Sequence, residues 1–274
     1  MSSNLCKLNE FSVIKLTGED NHSFLQGQVT CDVNNLKQQL WIPGSHCNAK
    51  GKMWSTFLAF EQDQAIYLVL TNDSAAITLA ELNKYGVFSK VDISNDSDNW
   101  FIYGSSQSQT DAISMELSEQ HFLIVSETEL NTTGSSDHWW QQEVVSGRAH
   151  LYTATSGEYV PQMLNLQALD YISFNKGCYM GQEMVARMRY LGKNKRALYI
   201  ASIDTELNAN VGDDVAIELN GNLKNIGKVL ISAQHQGKTY FQLVLPKDTQ
   251  LSDTLYINTE HSITLLKLPY EIEQ

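Results

Sequence analysis

The last third of the chain contains a succession of short strand-like segments. They cover residues 196–203, 214–219, 227–233, 239–245 and 262–268. Asn220 and Gly221 follow the second segment, and this pair is typical of a tight hairpin turn because both residue types tolerate a positive φ. Many short antiparallel strands are accommodated well when the sheet closes on itself. We therefore predict a small antiparallel β-barrel in this part of the chain.

The first 146 residues alternate between strand-like and helix-like segments. We predict strands at residues 11–16, 57–60, 65–70, 87–91, 100–103 and 121–125. Helices are predicted to begin near Asp20, to cover residues 73–85 and 137–146, and to occupy the residues just before Leu117. Turn-forming residues at 128–136 indicate a linker. The pattern is typical of an α+β unit with an antiparallel sheet, similar to a ferredoxin-like domain.

The composition excludes several classes of protein. Hydrophobic residues make up 42% of the chain and charged residues 18%, which is ordinary for a globular protein and argues against a disordered or collagen-like chain. The longest aliphatic and aromatic run covers residues 66–70, whereas about 20 apolar residues are needed to span a bilayer. The first 16 residues lack the pattern of a secretory signal. We expect a cytoplasmic protein with no membrane segment.

The four cysteines lie far apart, at Cys6, Cys31, Cys47 and Cys178, and include no CxxC pair. This spacing fits neither a zinc ribbon nor a disulfide framework, so we predict free thiols. His46 and Cys47 are adjacent, but two neighbouring ligands without a second pair do not form a typical metal site. We predict no metal site.

Charge is distributed unevenly along the chain. Residues 53–147 contain 14 acidic residues and two lysines, Lys84 and Lys90, so this segment accounts for the whole net charge of −12. Such an excess of negative charge repels phosphate backbones, and we expect direct nucleic-acid binding to be weak or absent. A cationic strip follows at Arg187, Arg189, Lys193, Lys195 and Arg196. Two readings stay open for the strip: a solvated helix end, or an anion site for a carboxylate or an RNA phosphate.

Residues 171–192, YISFNKGCYMGQEMVARMRYLG, predict a short strand, a glycine-rich turn and a helix from about Gly181 to Leu191. In this register Cys178 lies just before the helix, where the helix dipole and Lys176 favour a reactive thiolate. A small buried apolar cysteine is the alternative. Glu183 and Arg187 are spaced for an i, i+4 ion pair, which is either part of a site or an ordinary exposed helix pair.

The string KGCYMGQE at residues 176–183 resembles the signature of the YgfZ family. These are folate-binding proteins linked to tRNA modification and related in fold to the glycine-cleavage T-protein, an aminomethyltransferase. The likeness extends through ATSGEYVPQMLNLQAL at residues 154–169 and through EMVAR and NKRAL downstream. Weaker matches, FLQGQVTCDV and HCNAKGKMWS, lie at residues 24–33 and 46–55.

The resemblance implies a three-domain cloverleaf of the aminomethyltransferase type, of class α+β, around a central funnel that binds tetrahydrofolate or a folate derivative. The expected domains are a discontinuous first domain (residues 1–52 and 131–192), an acidic α+β domain (53–130) and a C-terminal β-barrel (193–274). Carried over to this sequence, the motifs suggest Cys178 and Lys176 as catalytic residues. They suggest as folate-binding residues Tyr179, Gln182, Glu183, Arg187, Gln162, Asn165 and Asp32. A turn-forming Asn165, a solvated Gln162 and a turn-capping Asp32 are the alternatives.

One departure from the T-protein bears on the reaction. T-proteins carry a pair of aspartates in the stretch that aligns with GKMWSTFLAF, whereas residues 52–57 contain no carboxylate. Without a positioned acid or base, proton transfer loses about 10²- to 10⁴-fold in rate. The resemblance therefore implies a folate-binding accessory factor for iron–sulfur enzymes such as tRNA methylthiotransferases, with Cys178 as its key thiol. A tetrahydrofolate-dependent aminomethyl- or methyltransferase is the alternative, and whether the protein is an enzyme stays open.

Overall fold

The computed structural model describes residues 4–192 and 194–272. Within these ranges the strands are β1 (Cys6–Lys7), β2 (Phe11–Thr17), β3 (Trp41–Cys47), β4 (Met53–Gln62), β5 (Ala65–Thr71), β6 (Asp92–Asn95), β7 (Phe101–Ser105), β8 (Ile113–Ser118), β9 (His121–Ser126), β10 (Arg196–Ile203), β11 (Asp214–Leu219), β12 (Asn222–His235), β13 (Lys238–Pro246), β14 (Leu255–Ile257) and β15 (His261–Leu266). The α-helices are α1 (Asn21–Gln26), α2 (Asn72–Gly86), α3 (Asp137–Val145) and α4 (Gln182–Tyr190), and 3-10 helices cover Val33–Lys37, Ser97–Asn99, Pro161–Leu164 and Leu166–Leu169. None of the described helices is both long and apolar enough to cross a membrane.

The predicted barrel is confirmed. Strands β10, β13, β12, β11, β14 and β15 form a closed antiparallel barrel in that order, and β15 pairs back to β10. Asn220 and Gly221 both have positive φ, 52° and 77°, in the tight turn that joins β11 to β12. The sequence prediction missed the short strand β14, whose three residues are too few for a pattern to stand out.

A five-stranded antiparallel sheet forms the middle of the molecule, in the order β3-β4-β5-β2-β6. Every residue of β5 is buried because apolar layers cover both faces of the sheet. Helices α1 and α2 cover one face, and α3 with residues 149–171 lies over the other. The β3–β4 pairing crosses residue 52, a predicted domain boundary, and the three-domain division stays a prediction.

A four-stranded sheet in the order β1-β7-β9-β8 packs beside it and corrects one prediction. The helix expected just before Leu117 is wrong, because residues 113–118 form strand β8, which pairs with β9. The strand expected at residues 87–91 is also wrong. Val87 and Phe88 are 73% and 89% exposed in a turn after α2, and the strand begins only at Asp92. Apolar residues at a turn gave a false strand signal there.

Candidate functional site

A cavity of about 910 Å³ opens between residues 31–43, residues 168–175 and helix α4. Its volume lies within the range of roughly 300–1,000 Å³ typical of small-molecule pockets. The lining residues that bear on chemistry are Asp32, Trp41, Arg148, Asp170, Phe174 and Arg189. The cavity therefore offers two aromatic rings, two carboxylates and two guanidinium groups to a ligand.

Arg148 is a buried cation in the wall of this cavity, 6% exposed. Its Nε lies 3.2 Å from Oε1 of Glu143, and its Nη2 donates to the carbonyl oxygen of Leu117 at 2.8 Å. Burial would lower the pKa of Arg148, but the attraction of Glu143 together with contributions from Tyr171 and Tyr270 outweighs it and raises the pKa. Because the guanidinium is held on two sides, it presents a fixed positive charge to the cavity.

The Glu143 carboxylate also forms hydrogen bonds with two histidines. His121 Nε2 and His150 Nε2 lie 2.7 and 2.8 Å from its carboxylate oxygens. Burial alone would raise the pKa of Glu143, but the Arg148 charge and both histidine hydrogen bonds outweigh it and hold the pKa far below its usual value. A buried, ionised carboxylate therefore holds Arg148 in the wall of the cavity.

Asp32 lines the cavity and caps the 3-10 helix that follows it. Its Oδ1 accepts hydrogen bonds from the Gln26 side chain at 2.9 Å and from the backbone and side chain of Asn34 at 3.1 Å each. Burial would raise the pKa of Asp32, but these hydrogen bonds outweigh it and lower the pKa. No group of the described residues bonds Oδ2, so this oxygen is left as an acceptor for a ligand.

Arg189, on α4, also lines the cavity. Its guanidinium carbon is 3.8 Å from the centroid of the Phe174 ring, a cation–π contact that orients the side chain. Among the described members of the cationic strip, Arg189 lines the cavity, Lys195 is exposed and Arg196 donates to the Ile226 carbonyl. Lys193 lies outside the described residues.

Lys176 is 9% exposed and supports the loop that carries Asp32. Its ammonium group donates to the carbonyl oxygens of Gln26, Val29 and Cys31 at 2.6, 2.8 and 2.7 Å. Burial lowers the pKa of Lys176 to about 8, so the amine is still mostly charged at neutral pH. Lys176 therefore acts as a clamp, by which we mean that its three hydrogen bonds hold the backbone of residues 26–31 together.

Replacing Lys176 with Met is expected to lower the free energy of unfolding by about 3 kcal/mol, because three buried carbonyls lose their charged donor. Lys195→Met, at an exposed position, is the matched control and is expected to change stability by no more than about 0.5 kcal/mol. Urea unfolding followed by circular dichroism measures both. Equal effects of the two substitutions would contradict the role of Lys176 as a clamp.

The amides of Gln162 and Asn165 are buried and point to the backbone. Gln162 Nε2 donates to the Val185 carbonyl at 2.6 Å, and Asn165 Nδ2 donates to the Leu198 carbonyl at 2.8 Å. Gln162 also lines a smaller cavity of about 120 Å³ together with Arg189. Both amide groups thus tie α4 or strand β10 to the 3-10 helices, and neither lines the 910 Å³ cavity.

The turn at residues 176–183 packs on the hairpin between β3 and β4. Gly181 has a φ of 81° and approaches Gly51 so closely that a Cβ on Gly181 would lie 2.5 Å from the Asn48 carbonyl oxygen and 2.8 Å from Gly51 Cα. The backbone N–H of Met180 donates to Gly27 at 3.0 Å. Two separate sequence motifs, at residues 46–55 and 176–183, therefore meet in space.

Cys178 is exposed, whereas Cys6, Cys31 and Cys47 are buried. Helix α4 begins at Gln182, one residue after the predicted start, with Gly181 as its N-cap, so Cys178 lies four residues before the helix. The strand predicted near Tyr171 is absent, since residues 171–174 pair with no strand. Burial raises the pKa of Cys31, the thiol that does line the cavity, to about 12, so that thiol is neutral.

The remaining predicted residues lie away from the cavity wall. Tyr179 is buried, with the Lys176 ammonium 5.1 Å from its ring centroid, and burial raises its pKa. Gln182 begins α4, and Glu183 is 83% exposed in an ion pair with Arg187 of 3.7 Å. Of the nine site residues predicted from the sequence, all of them in the described part of the chain, Asp32 alone lines the cavity.

Sequence reasoning missed Arg148 and Glu143. Arg148 follows the acidic segment as a single cation, and no motif marks it. One signal was available: Glu143 lies in helix α3 on the same side as the aromatic Trp139, four residues earlier, which predicts a buried carboxylate in need of a partner. Within the described residues, no group of three His, Cys, Asp or Glu side chains is placed to hold a metal ion.

Comparison with known proteins supports the resemblance found in the sequence. The tRNA-modifying protein YgfZ of Colwellia psychrerythraea is 35% identical over 98% of this chain and 93% of its own. The protein of the same name from Pectobacterium atrosepticum is 32% identical over 99% and 93%. The crystal structure of the glycine cleavage system aminomethyltransferase T from Bartonella henselae matches with a TM-score of 0.69 and 12% identity, over 97% of this chain and 86% of that one. This likeness confirms the predicted aminomethyltransferase-type fold. No family model matches the chain.

Proposed function

The chain belongs to the family of YgfZ tRNA-modifying proteins, and on this premise we propose that it is a folate-binding accessory factor for iron–sulfur enzymes that modify tRNA. The observation that carries the proposal is the 910 Å³ cavity in an aminomethyltransferase-type fold. Folate is a planar pterin joined to an aromatic ring and an anionic glutamate tail. Each of these parts has a chemical counterpart in the wall of the cavity.

The cavity suits folate in one orientation. The pterin edge carries N–H donors beside a carbonyl, and Asp32 Oδ2 and the Arg148 guanidinium are the complementary acceptor and donor. Trp41 and Phe174 supply aromatic surface for the rings. Arg189 provides the charge that a glutamate carboxylate needs. A bound tetrahydrofolate would supply one-carbon chemistry, and the residues named here would bind and orient it.

The residues at the positions of the T-protein aspartates favour a binding function over group transfer. Ser55 and Thr56 lie in the stretch that aligns with the aspartates of T-proteins. Thr56 Oγ1 donates to the Ala149 carbonyl at 2.9 Å, and Ser55 Oγ accepts from Thr78 at 2.8 Å. Since both side chains are buried and neither can ionise near neutral pH, they offer no acid or base for proton transfer.

Cys178 is the thiol best placed to act on a partner protein. It is the exposed one among the four cysteines, and it lies on a turn whose backbone is anchored at Met180. Because Cys178 does not line the cavity, its exposure favours a role toward a partner's iron–sulfur cluster over one toward bound folate. The thiolate is the form of cysteine that binds metals.

Two measurements test the proposal. Calorimetry with tetrahydrofolate is expected to show binding that weakens about tenfold in Arg189→Ala and stays unchanged in Arg187→Ala, an exposed arginine of the same helix. Cys178→Ala is expected to keep folate binding and to lose complementation of a tRNA methylthiolation defect, whereas Cys6→Ala, at a buried cysteine that does not line the cavity, keeps complementation. Absence of folate binding, or full complementation by Cys178→Ala, would contradict the corresponding half of the proposal.

A further inference from the structure

A second cavity lies at the end of the β3–β4 hairpin, between that hairpin, helix α2 and Met180. Its volume is about 320 Å³, and it shares no lining residue with the 910 Å³ cavity. The residues that bear on chemistry are His46, Lys50, Trp54, Lys84 and Tyr85. We propose that this cavity binds a single nucleotide, with the base beside Trp54, Tyr85 and His46 and the phosphate at Lys50 and Lys84.

His46 is the buried polar group of this cavity. It is 1% exposed, and its Nδ1 has no hydrogen-bond partner among the described residues. Burial lowers the pKa of His46 to about 4, so the ring is neutral near pH 7 and one ring nitrogen donates while the other accepts. A buried polar atom without a partner costs free energy, and the heteroatoms on the edge of a nucleobase can satisfy it.

Two aromatic side chains supply the surface on which a base would stack. Trp54 from β4 and Tyr85 from α2 are both half-buried, line the same cavity and make no ring contact with each other. The Lys84 ammonium lies 5.5 Å from the centroid of the Tyr85 ring, so the ring and one of the two lysines of the cavity are neighbours. Stacking of a base on an aromatic face contributes about 1–3 kcal/mol and does not require a particular base.

The rim of the cavity is positive in a negative part of the molecule. Lys84 is one of the two lysines among residues 53–147, and it lies at this cavity together with Lys50 from the hairpin. Lys84 is 3.5 Å from Glu81 in an exposed ion pair, which is weak and is readily replaced by a phosphate contact. Lys50 has no ion-pair partner among the described residues. Two lysines against one glutamate leave a net charge of about +1 for an anion.

The proposal is tested by calorimetry on the full chain with AMP, GMP, CMP and UMP, each measured alone, and with inorganic phosphate. At least one mononucleotide is expected to bind with a Kd of about 1 mM or lower, and at least tenfold more tightly than inorganic phosphate. The double variant with Lys50→Ala and Lys84→Ala is expected to raise that Kd about tenfold. Lys90→Ala, the other lysine of the acidic segment and no part of the cavity, is expected to leave it unchanged.

Substitutions of Trp54 provide a second test of the proposal. Trp54→Leu is expected to lose binding and Trp54→Phe to keep it, while Trp41→Leu, in the other cavity, leaves it unchanged. Thermal unfolding checks that each variant is folded. Because the two cavities share no lining residue, nucleotide binding can fail or succeed independently of folate binding. A trinucleotide of the preferred base distinguishes a nucleotide within a strand, which binds more tightly than the mononucleotide, from a free nucleotide. No binding of either, binding equal to that of phosphate, or insensitivity to the lysine and Trp54→Leu substitutions would overturn the proposal.

Discussion

Replacing Glu143 with Gln is expected to lower the free energy of unfolding by about 3–5 kcal/mol. The carboxylate is 1% exposed and faces Arg148 and two histidines, so its loss leaves a buried guanidinium without its counter-charge. Glu116→Gln, at an exposed position on β8, is the matched control, with an expected change within about 0.5 kcal/mol. Urea unfolding at pH 7 measures both.

The effect of Glu143→Gln on the free energy of unfolding is expected to depend on pH. A carboxyl group whose pKa is lowered in the folded protein stabilises the fold above its ordinary pKa of 4.5, and this contribution is lost as the pH falls below that value. The difference in unfolding free energy between the wild type and Glu143→Gln is therefore expected to shrink as the pH is lowered from 4.5 to 3. A difference that stayed the same at pH 3 would contradict the assignment of Glu143 as the charged partner of Arg148.

Glu143 also connects stability to the candidate folate site. Arg148 lines the cavity in a position that Glu143 fixes at 3.2 Å. In Glu143→Gln the guanidinium keeps the Leu117 carbonyl as acceptor but loses its charged partner, and we expect weaker tetrahydrofolate binding even under conditions where the variant stays folded.

Replacing Gly181 with Ala is expected to lower the free energy of unfolding by about 3 kcal/mol. Its φ of 81° is unfavourable for a residue with a Cβ, and that Cβ would lie 2.5 Å from the Asn48 carbonyl oxygen, a backbone atom that cannot move aside. Gly177→Ala is a matched control in the same turn, because nothing lies within 4 Å of a Cβ there. We expect Gly177→Ala to change stability by less than about 0.5 kcal/mol.

The two glycine variants separate the roles of glycine in the KGCYMGQE string. If both variants unfold at the same urea concentration as the wild type, then Gly181 is not required for the packing of residues 176–183 on the hairpin. If Gly177→Ala keeps its stability but loses complementation of the tRNA methylthiolation defect, then Gly177 is needed for access to the neighbouring Cys178. Urea unfolding and complementation are measured on the same two variants.

Much of the fold followed from local sequence patterns. Five of the six barrel strands were predicted from short strand-like segments and from the Asn220–Gly221 turn, because a hairpin between consecutive strands depends on residues close together in the chain. Helices α2 and α4 began and ended within one or two residues of their predicted bounds. The failures at residues 87–91 and before Leu117 arose where short apolar segments carried no information about which strand would pair with them.

The sequence by itself determined the family, the aminomethyltransferase-type fold and the segment that contains Cys178, because these depend on the order of residue types along the chain. Only the tertiary structure decided which side chains face the cavity. Its wall combines Asp32, Arg148 and Arg189, which are more than 100 residues apart at the extremes, and it includes no residue of the signature string at 176–183. The physical reason is that burial and charge pairing arise between segments that are distant in sequence. A short sequence motif contains no information about either of them.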